Sequence, residues 1–227
     1  DRGCSFPQRA AVWMGADVFV QRMGFTVQEK SAQCVRVQYR FGVPGVPGAQ
    51  VEMIYTVEAQ GALRLDAVYH GVPGAPELPC FGIKFETAAP VVRTRWTGLS
   101  GETYPDRCKG GVFGCHEEPP HIEPALVPQD CGLPMDTQQV NLQLADGKTL
   151  TLESTGEAFA FSALPNTAQQ IEAAQHPCEL PETGRTCVTV LGAARGVGGI
   201  DSWGTDVEAP YHVNGEQQHS VSLRILL

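Results

Sequence analysis

The sequence predicts an all-β fold, a large antiparallel β-sandwich with two short helices. Three observations predict it: repeated runs in which apolar and polar residues alternate, Gly- and Pro-rich stretches between those runs, and only two segments with a helical pattern. Alternation at period two puts one face of a strand on a core and the other in water. At 227 residues the chain is long enough to bury a sizeable core as a single domain spanning 1–227.

Taken in order, the first element is a helix expected over Pro7 to Arg22, where Val12, Phe19 and Met23 are spaced to share a face. Strands follow at Val35–Tyr39, Val51–Val57, Phe81–Phe85, Val140–Leu144, Leu150–Leu152 and Val221–Ile225. Asp146-Gly147 lies between two of these runs and tolerates positive φ at both turn positions, so a tight hairpin is expected there. The second helix is expected over Asn166 to His176, opened by a capping residue and stopped by Pro177. Gly42–Gly48 and Gly71–Pro79 read as strand-connecting loops.

Composition narrows the function classes. Hydrophobic residues make up 42% and charged residues 18%, the balance of an ordinary globular protein. The formal net charge is -9 with no basic run, which speaks against a nucleic-acid partner. No stretch is apolar and long enough to span a bilayer, so no membrane partner is expected. The 8 cysteines form no CxxC pair, which argues against a structural zinc site. Free, mostly buried thiols in a reducing, cytoplasmic compartment are the expectation.

Several apparent motifs fail on spacing. His116-Glu117-Glu118-Pro119-Pro120-His121 is one residue too long for a zinc-protease helix and carries two prolines, so a polar loop is expected. Gly98-Leu99-Ser100-Gly101 is one residue short of a nucleophile elbow. Gly196-Val197-Gly198-Gly199 is followed by no helical pattern and is no dinucleotide loop. No pair of carboxylates stands out as a glycosidase pair.

Trp203 is different. It stands between small polar residues and glycines, in Gly198-Gly199-Ile200-Asp201-Ser202-Trp203-Gly204. Two fates remain open: a packed core tryptophan, the commoner one, or a loop-borne platform for the apolar face of a sugar, with Asp201 and Ser202 bonding hydroxyls.

The stretch Gly196 to Gly204 resembles the Gly-rich Asp-Ser-Trp signature of family 2 glycoside hydrolases of the β-galactosidase type. Gly101-Glu102-Thr103-Tyr104-Pro105-Asp106-Arg107 is similar to that family's Glu-Asn-Tyr-Pro-Asp-Arg motif. Phe159–Leu164 followed by Ile171–His176, Pro128–Gly132 and Asp1-Arg2-Gly3 match further family segments in the family's order. The resemblance implies the fifth, small-chain domain of a retaining β-galactosidase, a supersandwich of the galactose mutarotase kind, missing its first strands.

It further implies a galactoside as the carbohydrate partner and the remaining enzyme domains, or a large subunit, as the protein partner, with a homo-oligomer also possible. Trp203 matches the family's sugar-stacking tryptophan and Gly3 a glycine in a loop bordering the active site. The catalytic glutamates and the magnesium ligands belong to a barrel domain that this chain lacks, so no catalytic residue, metal ligand or cofactor is assigned here. The isolated chain is expected to be inactive. A free-standing aldose 1-epimerase, for which His70, His176 and His212 are the histidines considered, and a non-catalytic carbohydrate-binding module are the alternatives.

Overall fold

The computed structural model describes residues 4–227. Twelve strands dominate: β1 Gln21–Lys30, β2 Cys34–Gly42, β3 Gln50–Glu58, β4 Leu63–Tyr69, β5 Cys80–Glu86, β6 Val91–Leu99, β7 Phe113–Glu118, β8 Gln139–Leu144, β9 Thr149–Ser154, β10 Ala160–Leu164, β11 Cys187–Ala194 and β12 His219–Leu226. Nine form one antiparallel sheet, in the order β1-β2-β3-β4-β12-β9-β8-β6-β7; β10, β11 and β5 form a second, in the order β10-β11-β5. The expected class, all-β with a large antiparallel sheet and few short helices, is what the chain adopts.

The two sheets enclose one main core. Leu65, Val140, Leu142, Leu152, Leu223 and Trp96 from the large sheet meet Ile83, Phe161, Val188 and Val190 from the small one. Each of these aliphatic side chains contributes about 1.5–3 kcal/mol by leaving water. The sheets approach closely where β11 passes β12: a Cβ on Gly192 would lie 2.0 Å from the Ser220 carbonyl oxygen, so only glycine fits. Met53 and Tyr55 of β3 pack against the margin of this core. There Phe25, Tyr39 and Tyr55 pack on one another at ring spacings of 5.8 and 5.7 Å, while Phe25 and Val27 stay exposed on the edge strand.

The first expected helix is broken. In place of one helix over Pro7 to Arg22 there are α1 Phe6–Arg9, a 3₁₀ turn Ala11–Trp13 and α2 Ala16–Phe19, and β1 already starts at Gln21. Gly15 has φ 72°, a left-handed value that interrupts the ladder, and Met14 before it is extended. Val12 and Trp13 pack against a second core with Val43, Tyr69 and Val213, whereas Phe19 and Met23 remain exposed. The second helix, α3, is shorter than expected, Ala168–Ala173, and its cap is Thr167, not Asn166: Thr167 accepts from the Gln170 N–H in a capping box.

The Asp146-Gly147 hairpin forms, but only Gly147 has positive φ (87°), in a three-residue loop closed by Leu144 and Lys148. His116 to Glu118 belong to β7 rather than to a loop. Of the eight cysteines only Cys131 and Cys187 are buried, so the expectation of mostly buried thiols fails.

Candidate functional site

The site is built on the loop that leaves β11. Its root is Arg195, whose side chain is only 4% exposed. Arg195 donates to Glu77 Oε1 at 2.8 Å, pairs with Asp206, and lies with its guanidinium carbon 3.9 Å from the centre of the Phe6 ring. Arg9 from α1 bonds the other oxygen of Asp206 at 2.7 Å. Burial pushes the Asp206 carboxyl up, but Arg9, the Val207 N–H and Arg195 outweigh it and hold the carboxyl below its ordinary value. Residues from the N-terminal turns, the β4–β5 loop and the far end of the Trp203 loop are thus tied at one point.

His212 joins the same cluster, with Nδ1 2.7 Å from Glu77 Oε1 and Nε2 3.0 Å from the Val207 carbonyl. Both ring nitrogens are engaged by acceptors, so this histidine has no nitrogen free to exchange a proton with a sugar. That removes the best-buried acid–base candidate for an epimerase.

Above the root, two residues of the Tyr104-Pro105-Asp106-Arg107 segment clamp the glycines. Asp106 accepts from the Val197 N–H at 3.0 Å and the Gly198 N–H at 2.8 Å. Arg107 donates to the Gly198 carbonyl. The glycines make this approach possible: a Cβ on Gly196 would sit 2.7 Å from Asp106 Cγ, and one on Gly199 (φ 73°) 2.7 Å from Arg107 Nη2. Tyr104 is anchored in turn, accepting from the Gly132 N–H at 2.7 Å through a fully buried phenol.

The tip carries the sequence-predicted residues. Asp201 accepts from the Trp203 N–H at 2.9 Å and from the Thr205 N–H and hydroxyl. The Thr205 hydroxyl, then these N–H groups, lower its pKa. Its carboxylate therefore shapes the loop from within. Ser202 is exposed, and Trp203 is 88% exposed. Beside the loop runs a groove of about 400 Å³ lined by Arg107, Lys109, Ile200, Glu208 and Tyr211. Asp201, Ser202 and Trp203 thus share one turn, while Gly3 lies outside the described residues. Among the described residues no three His, Cys, Asp or Glu side chains converge to hold a metal ion.

A family model described as "Beta galactosidase small chain" matches residues 3–225. The chain belongs to the β-galactosidase small-chain family. This small chain is 38% identical over 255 residues to the β-galactosidase small subunit of Latilactobacillus sakei, covering 99% of itself and 80% of that protein. It is 30% identical over 228 residues to a β-galactosidase of Streptococcus thermophilus, of which it spans only 22%. Among solved structures it is similar to a galactose mutarotase-like protein from Lactobacillus casei, with 10% identity, coverage of 88% and 72%, and a TM-score of 0.39. That last likeness is too loose to carry an argument about chemistry.

The residues that sequence reading missed in this small chain are Asp106 and Arg107, together with the Arg195 cluster. The first two had a signal, because the Tyr-Pro-Asp-Arg segment and the Gly-rich loop matched one family together. Phe6, Arg9, Glu77, Asp206 and His212 are scattered along the chain and had none.

Proposed function

We propose that this small chain forms one wall of a retaining β-galactosidase active site, where Trp203 stacks on the sugar or on its aglycone. The catalytic carboxylates and the magnesium come from a larger partner polypeptide, and this chain alone is inactive. The observation that carries the reading is the Trp203 ring, fully presented on a loop that Asp106, Arg107 and Arg195 hold rigidly from beneath. An exposed indole on a fixed backbone can meet a pyranose face with little ordering cost. Asp201 keeps the turn in shape, and Ser202 offers a hydroxyl beside the ring.

The test is Trp203→Ala in the assembled enzyme. Losing the stack removes about 1–1.5 kcal/mol, so apparent affinity for substrate or acceptor falls roughly five- to tenfold. The glycosylation rate at saturation changes less, because stacking binds and orients without breaking the bond. An unchanged KM for both donor and acceptor refutes the assignment.

A further inference from the structure

A second cleft opens elsewhere in the sandwich, along the free edge of β10 where it faces β6. Its floor holds Thr94 and Trp96 of β6 with Phe161 and Ser162 of β10, all nearly or fully buried. Its rim holds Glu102, Glu118 and Asp130. The cleft measures about 280 Å³, at the small end of ligand sites.

Two features of this cleft are unresolved by the protein itself. Thr94 is 6% exposed, and its hydroxyl has no hydrogen-bond partner among the described residues. A buried hydroxyl left without a partner is destabilising, so an orphan of this kind requires an explanation. The neighbouring strand residue shows the contrast: Trp96 Nε1 donates to the Leu99 carbonyl at 2.9 Å, which leaves only its carbon surface towards the cleft. The second feature is the rim. None of the Glu102, Glu118 and Asp130 side chains has an ion-pair or hydrogen-bond partner among the described residues, and no Lys or Arg lines the cleft. Burial pushes the Asp130 carboxyl up.

Together these call for a ligand rich in hydroxyl donors with an apolar face. Carboxylates accept from several hydroxyls at once. A buried threonine can accept one bond or donate another, and indole and phenyl surfaces suit ring C–H groups. A metal ion or a small ammonium would use the carboxylates and leave the carbon walls and the hydroxyl floor idle. We infer that this cleft is a second carbohydrate-binding site, sized for one pyranose ring and separate from the Trp203 loop.

The experiment titrates methyl β-galactoside into the whole protein carrying Trp203→Ala, followed by saturation-transfer difference NMR and calorimetry, with ethanolamine as a cation control. In that background the first proposed site is weakened and Thr94→Val reports on the cleft alone, so the two readings fail separately. Binding of the galactoside is expected to persist in Trp203→Ala. Adding Thr94→Val, which keeps the shape and removes the hydroxyl, is expected to weaken it fivefold or more. The same change should raise the melting temperature of the ligand-free protein, because the orphaned hydroxyl is gone. Affinity unaffected by Thr94→Val overturns the proposal. So does loss of all galactoside binding with Trp203→Ala alone, or ethanolamine binding in place of the sugar.

Discussion

Asp106→Asn probes the clamp on which the Trp203 loop depends. The aspartate accepts two backbone N–H groups, from Val197 and Gly198, with both of its oxygens. Bonds to a charged acceptor are worth about 1.5–3 kcal/mol each. Asp106 is partly exposed, which places these two at the low end, near 3 kcal/mol together. Asparagine keeps the volume but replaces one acceptor oxygen with an NH2, which meets the second N–H donor to donor. One bond is lost and the other loses its charge, so about 2–3 kcal/mol disappears locally. That corresponds to roughly 30- to 150-fold in the equilibrium between ordered and frayed loop. Amide hydrogen exchange read residue by residue is the assay, since local opening shows directly there. Protection at Val197 and Gly198 should fall by that factor, while the amides of β8 and β9 keep theirs. Unchanged protection at the two glycine-loop amides, or a uniform loss across the whole sheet, refutes the clamp.

The remaining predictions concern the same loop and the core. Gly199→Ala forces a Cβ into a left-handed backbone and against the Arg107 guanidinium, and should loosen the loop by about 1–2 kcal/mol in the same exchange experiment. The folded-state pKa of Asp201 is lowered, so its contribution is present above the unfolded value of 3.8 and is lost only as pH falls through the lower folded value. Fluorescence anisotropy reporting on Trp203 should therefore hold steady from neutral pH down to about 4 and drop below that. Leu142→Ala opens a cavity at a fully buried position and should cost about 3 kcal/mol, or roughly 6–12 °C in melting temperature by calorimetry.

Half-buried strands were the readable part of the fold. β8 and the first half of β12 alternate because one face meets the core and the other meets water, whereas β3 is half-buried along nearly its whole length. β10 and β11 gave no such signal. Every residue of β10 is buried, and β11 lies in the middle of the small sheet with both faces covered, so polarity does not alternate. The first helix was misread because Val12, Phe19 and Met23 have helical spacing, yet one glycine in a left-handed turn and an edge strand starting at Gln21 overrule it. At the site, the glycine framing of Trp203 hinted at a loop, but local sequence could not decide between buried and exposed. The use of Asp201 inside its own turn was equally hidden: an Asp beside a Trp carries the same letters whether it faces a ligand or a backbone N–H.

The position of β12 has a consequence for how the molecule is made. Among the described residues it is the strand latest in sequence, yet it sits between β4 and β9 and is their only link across the nine-stranded sheet. While the ribosome is still producing the residues before His219, β1–β4 and β6–β9 are two separate sheets with no seam between them. The main core, which includes Val221 and Leu223 of β12, cannot close until these residues have been translated, and a nascent chain stalled short of them would hold two open edges at once.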